Sequence, residues 1–185
     1  ICRKNYKTFN SAVIFILLML TEPDFSRFFS VAPDYKLSSE LRLAVRKIIK
    51  SSPALTRHFK ITREMVTCKI NSSEYTPLAY SNDKMDGKLA NAFLADEAGA
   101  LDTYPVEAMR SSQITLINKL GIIISTKYPN EESVFTDEVD FAKKILDGLI
   151  KDPTVFALLY EPDEELIANW QTDNNVIFQS NPVAC

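Results

Sequence analysis

The chain has 185 residues, 46% of them hydrophobic and 24% charged, with a net charge of −3 at pH 7. That profile fits one globular domain long enough to bury a substantial core, and it excludes a disordered or fibrous chain. Dispersed cysteines (Cys2, Cys68, Cys185), no C-x-x-C and a single histidine, His58, argue against a zinc site and suit a reducing compartment.

Ala12–Leu20, the longest apolar run, falls short of the roughly 18–20 residues of a membrane span. Behind Arg3, Lys4 and Lys7 it has the charge-then-apolar order of a secretory signal, and a secreted binding protein is one alternative. The following "TEPDFSRFF" offers no small-x-small cleavage site. Taken whole, the charge gives no hint of nucleic acid, but its distribution is uneven. Lys36 to Lys69 holds nine Lys or Arg against Glu40 and Glu64, whereas Glu131 to Asp173 holds twelve acids against three lysines. One face could therefore be basic on an acidic protein.

In chain order, Thr8–Leu20 reads as a buried helix, aliphatic almost all round and stopped by Pro23. "SRFFSVAP" is a short strand closed by Pro33. "YKLSSELRLAVRKIIKSS" is an amphipathic helix with Leu37, Leu41, Val45, Ile48 and Ile49 on one face. "REMVTCKI" and "EYTPLAYS" form a hairpin across "NSS". "SNDKMDGK" is a polar loop, and "LANAFLAD" a buried strand running straight into acids. "YPVEAMRSSQ" is a helix with Pro105 near its start, and "KLGIIISTKYP" a strand with a polar end. "TDEVDFAKKILDGL" is a helix capped by Thr136 or Asp137, and "TVFALLYEP" a further buried strand. The tail from Asp163 is polar and less regular. Continuous apolar strands alternating with helices predict a mainly parallel sheet covered on both faces.

In such sheets ligands bind at the carboxyl ends of strands. Asp96 and Glu97 end "AFLAD" there, the order of a Walker B element: Asp96 to support Mg²⁺ through its waters, Glu97 to orient the water that attacks a γ-phosphate. Upstream, "RKNYKT" (Arg3–Thr8) places Lys7 and Thr8 directly before a helix. There, backbone amides can cradle phosphates, a Lys can reach the β- and γ-phosphates, and a Thr can ligate Mg²⁺. Ser125 and Thr126 end the next strand, where a polar group can sense the γ-phosphate. Each motif also has a plain structural reading, as a basic helix start or a polar strand end. Their joint order is that of a P-loop ATPase with an extra strand between its Walker elements.

These residues resemble the ATPase domain of the large terminase subunit, the DNA-packaging motor of tailed bacteriophages. The resemblance lies in "RKNYKT", against R-K-x-G-K-[ST]; in "MDGKLANAFLADEAGAL"; in "EAMRSSQ"; in the coupling motif "IIISTKYPN"; and in "QSNPVAC", similar to an A-N-P segment leading to a nuclease domain. It implies a three-layer α/β P-loop NTPase fold with a mainly parallel sheet, whose first strand is missing from this chain. Residues 1–162 would be the ATPase domain, and 163–185 a linker toward an absent nuclease domain.

By the same resemblance Arg3, Lys4, Asn5, Lys7 and Thr8 bind ATP, and Thr8 and Asp96 serve Mg²⁺. Glu97 is catalytic, with Arg110 as a second catalytic position contacting nucleotide or a neighbouring subunit. Ser125 and Thr126 couple hydrolysis to DNA movement. The implied partners are double-stranded DNA held by its phosphates, a portal protein, a small terminase subunit and further copies in a ring, with no membrane, in the cytoplasm of the infected bacterial host. Tyr6 departs from the pattern: it stands at a glycine position, where strain of about one to a few kcal/mol is expected. An impaired or inert nucleotide-binding remnant is therefore the nearer alternative. The chain starts without Met and stops at "QSNPVAC", and is expected to be a piece of a longer protein without nuclease activity.

Overall fold

The structure, a computed structural model, describes residues 5–78, 87–128 and 133–181. Helix α1 (Lys7–Thr21) contains no Gly or Pro, and the Glu22 N–H closes its last turn on the Leu18 carbonyl before Pro23 turns the chain. Strand β1 (Arg27–Val31) leads to α2 (Tyr35–Ser51), whose first turn is capped by the Asp34 carboxylate accepting from the Leu37 N–H at 2.9 Å. Pro53 ends α2 and opens a single turn, α3 (Pro53–Thr56). Three short strands follow: β2 (Phe59–Ile61), β3 (Val66–Cys68) and β4 (Glu74–Pro77). After β5 (Ala92–Asp96) come a 3₁₀ turn (Ala98–Ala100), α4 (Thr103–Ser111), β6 (Leu120–Ile124) and α5 (Val134–Leu146). Two short helices, α6 (Glu164–Ile167) and α7 (Asn174–Ser180), complete the order.

Six strands make one sheet in the order β2-β3-β4-β1-β5-β6. The run β4-β1-β5-β6 is parallel, while β2, β3 and β4 pair antiparallel. Register places Val31 beside Ala95 and Asp96 beside Ile124, so β1, β5 and β6 end together at one edge. Every described strand follows α1 in the chain.

Both faces of the sheet are covered. Phe15, Met19, Leu41, Val45 and Ile49 of α1 and α2 pack with Phe28, Tyr75 and Leu94 on one side. Val106 and Met109 of α4 pack with Phe29, Val31, Phe93 and Ala95 on the other. Strand β5, sandwiched between these layers, is buried at all five residues, which is why it reads as an unbroken apolar run. A buried polar knot ties β1, β4 and α2 together: Ser30 Oγ lies 2.8 Å from Tyr75 Oη, and Ser38 Oγ donates to the Ser30 carbonyl at 2.7 Å.

Several expectations need correction. Helix α1 is not buried all round: Ala12, Phe15, Ile16 and Met19 face the core, while Phe9, Val13 and Leu17, the last 57% exposed, do not. The "TVFALLYEP" segment is no strand. It opens on a turn and has no sheet partners, Phe156 is 85% exposed, and Lys143 on α5 grips Glu161 at 2.8 Å. The cap of α5 is Ser133, with its Oγ 3.2 Å from Thr136 Oγ1, rather than Thr136 or Asp137. Strand β2 adds to the expected elements, and the tail after Asp163 carries α6 and α7 rather than irregular chain alone.

Candidate functional site

Where α1 begins, Tyr6 is in the left-handed conformation, φ 54° and ψ 20°, with no side chain capping the helix. That backbone is the one a glycine adopts freely, and a tyrosine pays a steric cost to hold it. The ring points outward, 63% exposed, and meets Phe9 edge-on. The first turn of α1 therefore presents its backbone amides without a side-chain cap, at the positive end of the helix dipole.

Thr8, at the start of α1, donates its hydroxyl to Asp96 Oδ2 at 3.1 Å, joining two residues 88 positions apart. The other carboxylate oxygen, Oδ1, accepts from the Glu97 N–H at 2.9 Å. Asp96 is 8% exposed. Burial pushes its carboxyl up from the ordinary value, the Thr8 hydroxyl draws it down, the Glu97 charge raises it and the Lys7 charge lowers it. A desolvated carboxylate beside a hydroxyl is a hard-oxygen pair that a cation would relieve, and this fits Mg²⁺. No group of three His, Cys, Asp or Glu gathers among the described residues. A divalent ion held by Thr8 and Asp96 would thus draw its other oxygens from water and ligand.

Glu97 leaves β5 with φ 52° and ψ 44°, one of four left-handed non-glycine residues among the described residues, at the sheet edge. Such strain persists only where surrounding contacts impose it. Its carboxylate Oε2 accepts from Tyr128 Oη at 3.2 Å. Ser125 is buried at the end of β6. Its Oγ accepts from the Gly99 N–H at 2.9 Å and donates to the Thr126 carbonyl at 2.7 Å. A Cβ on Gly99 would lie 2.8 Å from Tyr128 Cδ2 and 3.1 Å from Ser125 Oγ, so the turn behind Glu97 needs glycine for this approach.

The structure thus gathers Thr8, Asp96, Glu97 and Ser125 at one sheet edge, with Lys7 near enough to act on the Asp96 charge. Thr126 takes part through its carbonyl. Asn5, 7% exposed, donates from Nδ2 to Asn181 Oδ1 at 3.0 Å, in the segment after α7. Arg110 lies apart, in the last turn of α4, paired with Glu138 of α5. Arg3 and Lys4 lie outside the described residues, as do Asp86, Asn130 and the end of "QSNPVAC". Sequence reasoning misses Tyr128, Gly99 and Asn181 as members of the site. Tyr128 and Gly99 carry a weak signal, being within three residues of Ser125 and Asp96. Asn181 lies in the "QSNPVAC" stretch that resembles an A-N-P segment, but nothing in that pattern points to Asn5.

Among the described residues no helix is long and apolar enough to cross a membrane. Comparison with solved structures finds the same fold in large terminases of bacteriophages. The large terminase of bacteriophage HK97 superposes with a TM-score of 0.84 at 21% identity, over 98% of this chain and 38% of that one. The large terminase ATPase domain of Thermus phage P74-26 gives 0.56 at 16% identity, over 68% and 57%. The large terminase of another thermophilic bacteriophage, in complex with ADP, gives 0.54 at 14% identity, over 65% and 31%. This chain therefore spans well under half of the HK97 protein. No curated protein matches it. Residues 1–144 match the family model described as "Terminase large subunit, ATPase domain". With that match covering most of the chain, and the expected α/β fold present, the chain belongs to the terminase large subunit ATPase domain family.

Proposed function

We propose that this chain binds ATP with Mg²⁺ at the start of α1 and hydrolyses it, as the ATPase part of a motor that drives viral DNA into a capsid. The observation that carries this reading is the hydrogen bond from Thr8 to Asp96. It joins the Thr of a phosphate loop to the acid of a Walker B strand, across 88 residues. The thermophilic-phage large terminase solved with ADP has also been solved with ATP-gamma-S, which supports nucleotide as the ligand.

In this reading the uncapped amides of α1 and the Lys7 ammonium take the phosphates, with Arg3, Lys4 and Asn5 adding donors and charge. Bound Mg²⁺ supplies neutralisation of the phosphate charge, and Thr8 and Asp96 are the residues that would hold it. Glu97, released from β5 at the sheet edge, orients water toward the γ-phosphate. Ser125 and Thr126 report the state of that site to the rest of the chain. Arg110 contributes only where Glu138 yields it, to nucleotide or to a neighbouring copy.

Residues 1–162 would make the ATPase unit and 163–185 the connection to a nuclease domain. Double-stranded DNA would be held through phosphates, without sequence readout and with strong salt dependence. The Lys36–Lys69 segment suits that contact: its lysines and arginines are exposed apart from the half-buried Arg42, and neither ion pair among the described residues involves it. A portal protein, a small terminase subunit and a ring of copies would complete the motor, in the host cytoplasm. The alternative of a secreted protein with an N-terminal signal finds no support, because Phe15 and Met19 of that segment lie fully buried in the core.

The test is Mg-ATP turnover by the parent chain and by Glu97→Gln. Loss of a positioned base costs about 10²–10⁴-fold in rate, so the variant should bind nucleotide as the parent does while turnover falls by that much. Equal turnover in the two proteins, or no nucleotide binding by either, would refute the reading.

A further inference from the structure

The turn that carries Glu97 is wrapped by the segment following β6. Ser125 Oγ takes the Gly99 N–H at 2.9 Å, the Tyr128 ring lies so close to Gly99 that a Cβ would come within 2.8 Å of its Cδ2, and Tyr128 Oη donates to Glu97 Oε2 at 3.2 Å. These contacts join two strand ends, and the last of them reaches the carboxylate itself. We propose that Tyr128 is a positioning residue for Glu97, linking the acid that orients water to the segment that senses the phosphate. This inference rests on the functional reading above.

The chemistry follows from geometry. Glu97 enters the site from a left-handed backbone, so its carboxylate projects from a turn rather than from the regular strand. A glutamate side chain has three rotatable bonds, and orienting a water requires one arrangement of them. The Tyr128 hydroxyl supplies a fixed donor on one carboxylate oxygen and leaves the other for the water. Because Tyr128 follows Ser125 and Thr126 by two to three residues, any displacement of that segment on phosphate release also moves the Glu97 carboxylate. Turnover and coupling would then share one hydrogen bond.

Tyr128→Phe separates this role from packing, since it keeps the ring over Gly99 and removes only the hydroxyl. On the full chain with Mg-ATP, the expected result is a kcat about tenfold lower, the factor that follows from 1.36 kcal/mol of lost transition-state stabilisation. KM and the melting temperature should stay at parent values. In a Glu97→Gln background, where turnover is followed in single-turnover mode, Tyr128→Phe should change the rate no further, because the two residues act as one unit. Parent-like kcat in Tyr128→Phe, or a loss that persists undiminished in the Glu97→Gln background, overturns the positioning role alone. A parent chain that turns over no faster than Glu97→Gln overturns the functional reading, and the positioning role falls with it.

Discussion

Replacing Tyr6 with glycine tests how the proposed phosphate loop is shaped. Tyr6 holds φ 54° and ψ 20° at the N-cap of α1, a conformation that costs an L-residue with a side chain about 1–2 kcal/mol. Glycine relieves that strain but adds about 0.5–1 kcal/mol of backbone entropy in the unfolded chain. It also removes the edge-on contact with Phe9, centroids 6.5 Å apart. Both rings are largely exposed, so that loss sits at or below the low end of about 0.5–1.5 kcal/mol for aromatic pairs. The balance is a stabilisation of about 0.5 kcal/mol, or roughly 1–2 °C in Tm for a chain of this size.

Nucleotide affinity should also change little. The backbone already has the shape a glycine would give it and the ring points outward, so Kd should move by less than about tenfold, 1.4 kcal/mol. Thermal unfolding and calorimetric titration of Mg-ATP into the parent and Tyr6→Gly measure both quantities. A Tm lower by more than about 5 °C, beyond about 1 kcal/mol of destabilisation, would show that the ring anchors the loop. A Kd tighter by about 100-fold would show that tyrosine keeps phosphate out, and would favour the impaired remnant.

Asp96→Asn should abolish hydrolysis while stabilising the nucleotide-free protein. Burial raises the Asp96 carboxyl, so its charged form is disfavoured in the folded state. Stability from this group is greatest below the ordinary carboxylate range and falls as pH rises to the raised value. The variant should lose that slope and melt higher than the parent at pH 7, as relief of a functional strain commonly does; an unchanged pH–stability curve would count against the buried charge. Gly99→Ala forces a Cβ to within 2.8 Å of Tyr128 and 3.1 Å of Ser125, an overpacking of about 1–3 kcal/mol that calorimetry should read as a lower Tm. Asn181→Ala takes from the buried Asn5 amide the acceptor 3.0 Å away. Losing that contact loosens the residue just ahead of Tyr6, so ADP should bind the variant more weakly in a titration.

Legibility of this molecule in its sequence follows the range of the interactions. Strand β5 is readable because burial on both faces makes it apolar without interruption, and α2 because one-sided burial gives Leu41, Val45 and Ile49 a helical period. The order of Lys7, Thr8, Asp96 and Glu97 is readable because the proposed phosphate chemistry would call for those groups at a helix start and a strand end. The reading fails where apolar content stands in for a partner that the residues do not specify. Phe9, Val13 and Leu17 suggest a helix covered on every side, and "TVFALLYEP" a strand, although hydrophobicity alone says nothing about which surface covers it. Strand β2 has three residues, too few for alternation to show. The contacts of Tyr128 with Glu97 and of Asn181 with Asn5 depend on three-dimensional closure, to which no local spacing points.

The hydrogen bond between Asn5 and Asn181 has a mechanical consequence. Tension applied to the chain after α7 would reach the residue just ahead of Tyr6 in one step, without first deforming the sheet. A pull strong enough to part those two amides would therefore be felt at the start of α1, where nucleotide is proposed to bind, before it was felt anywhere in the core.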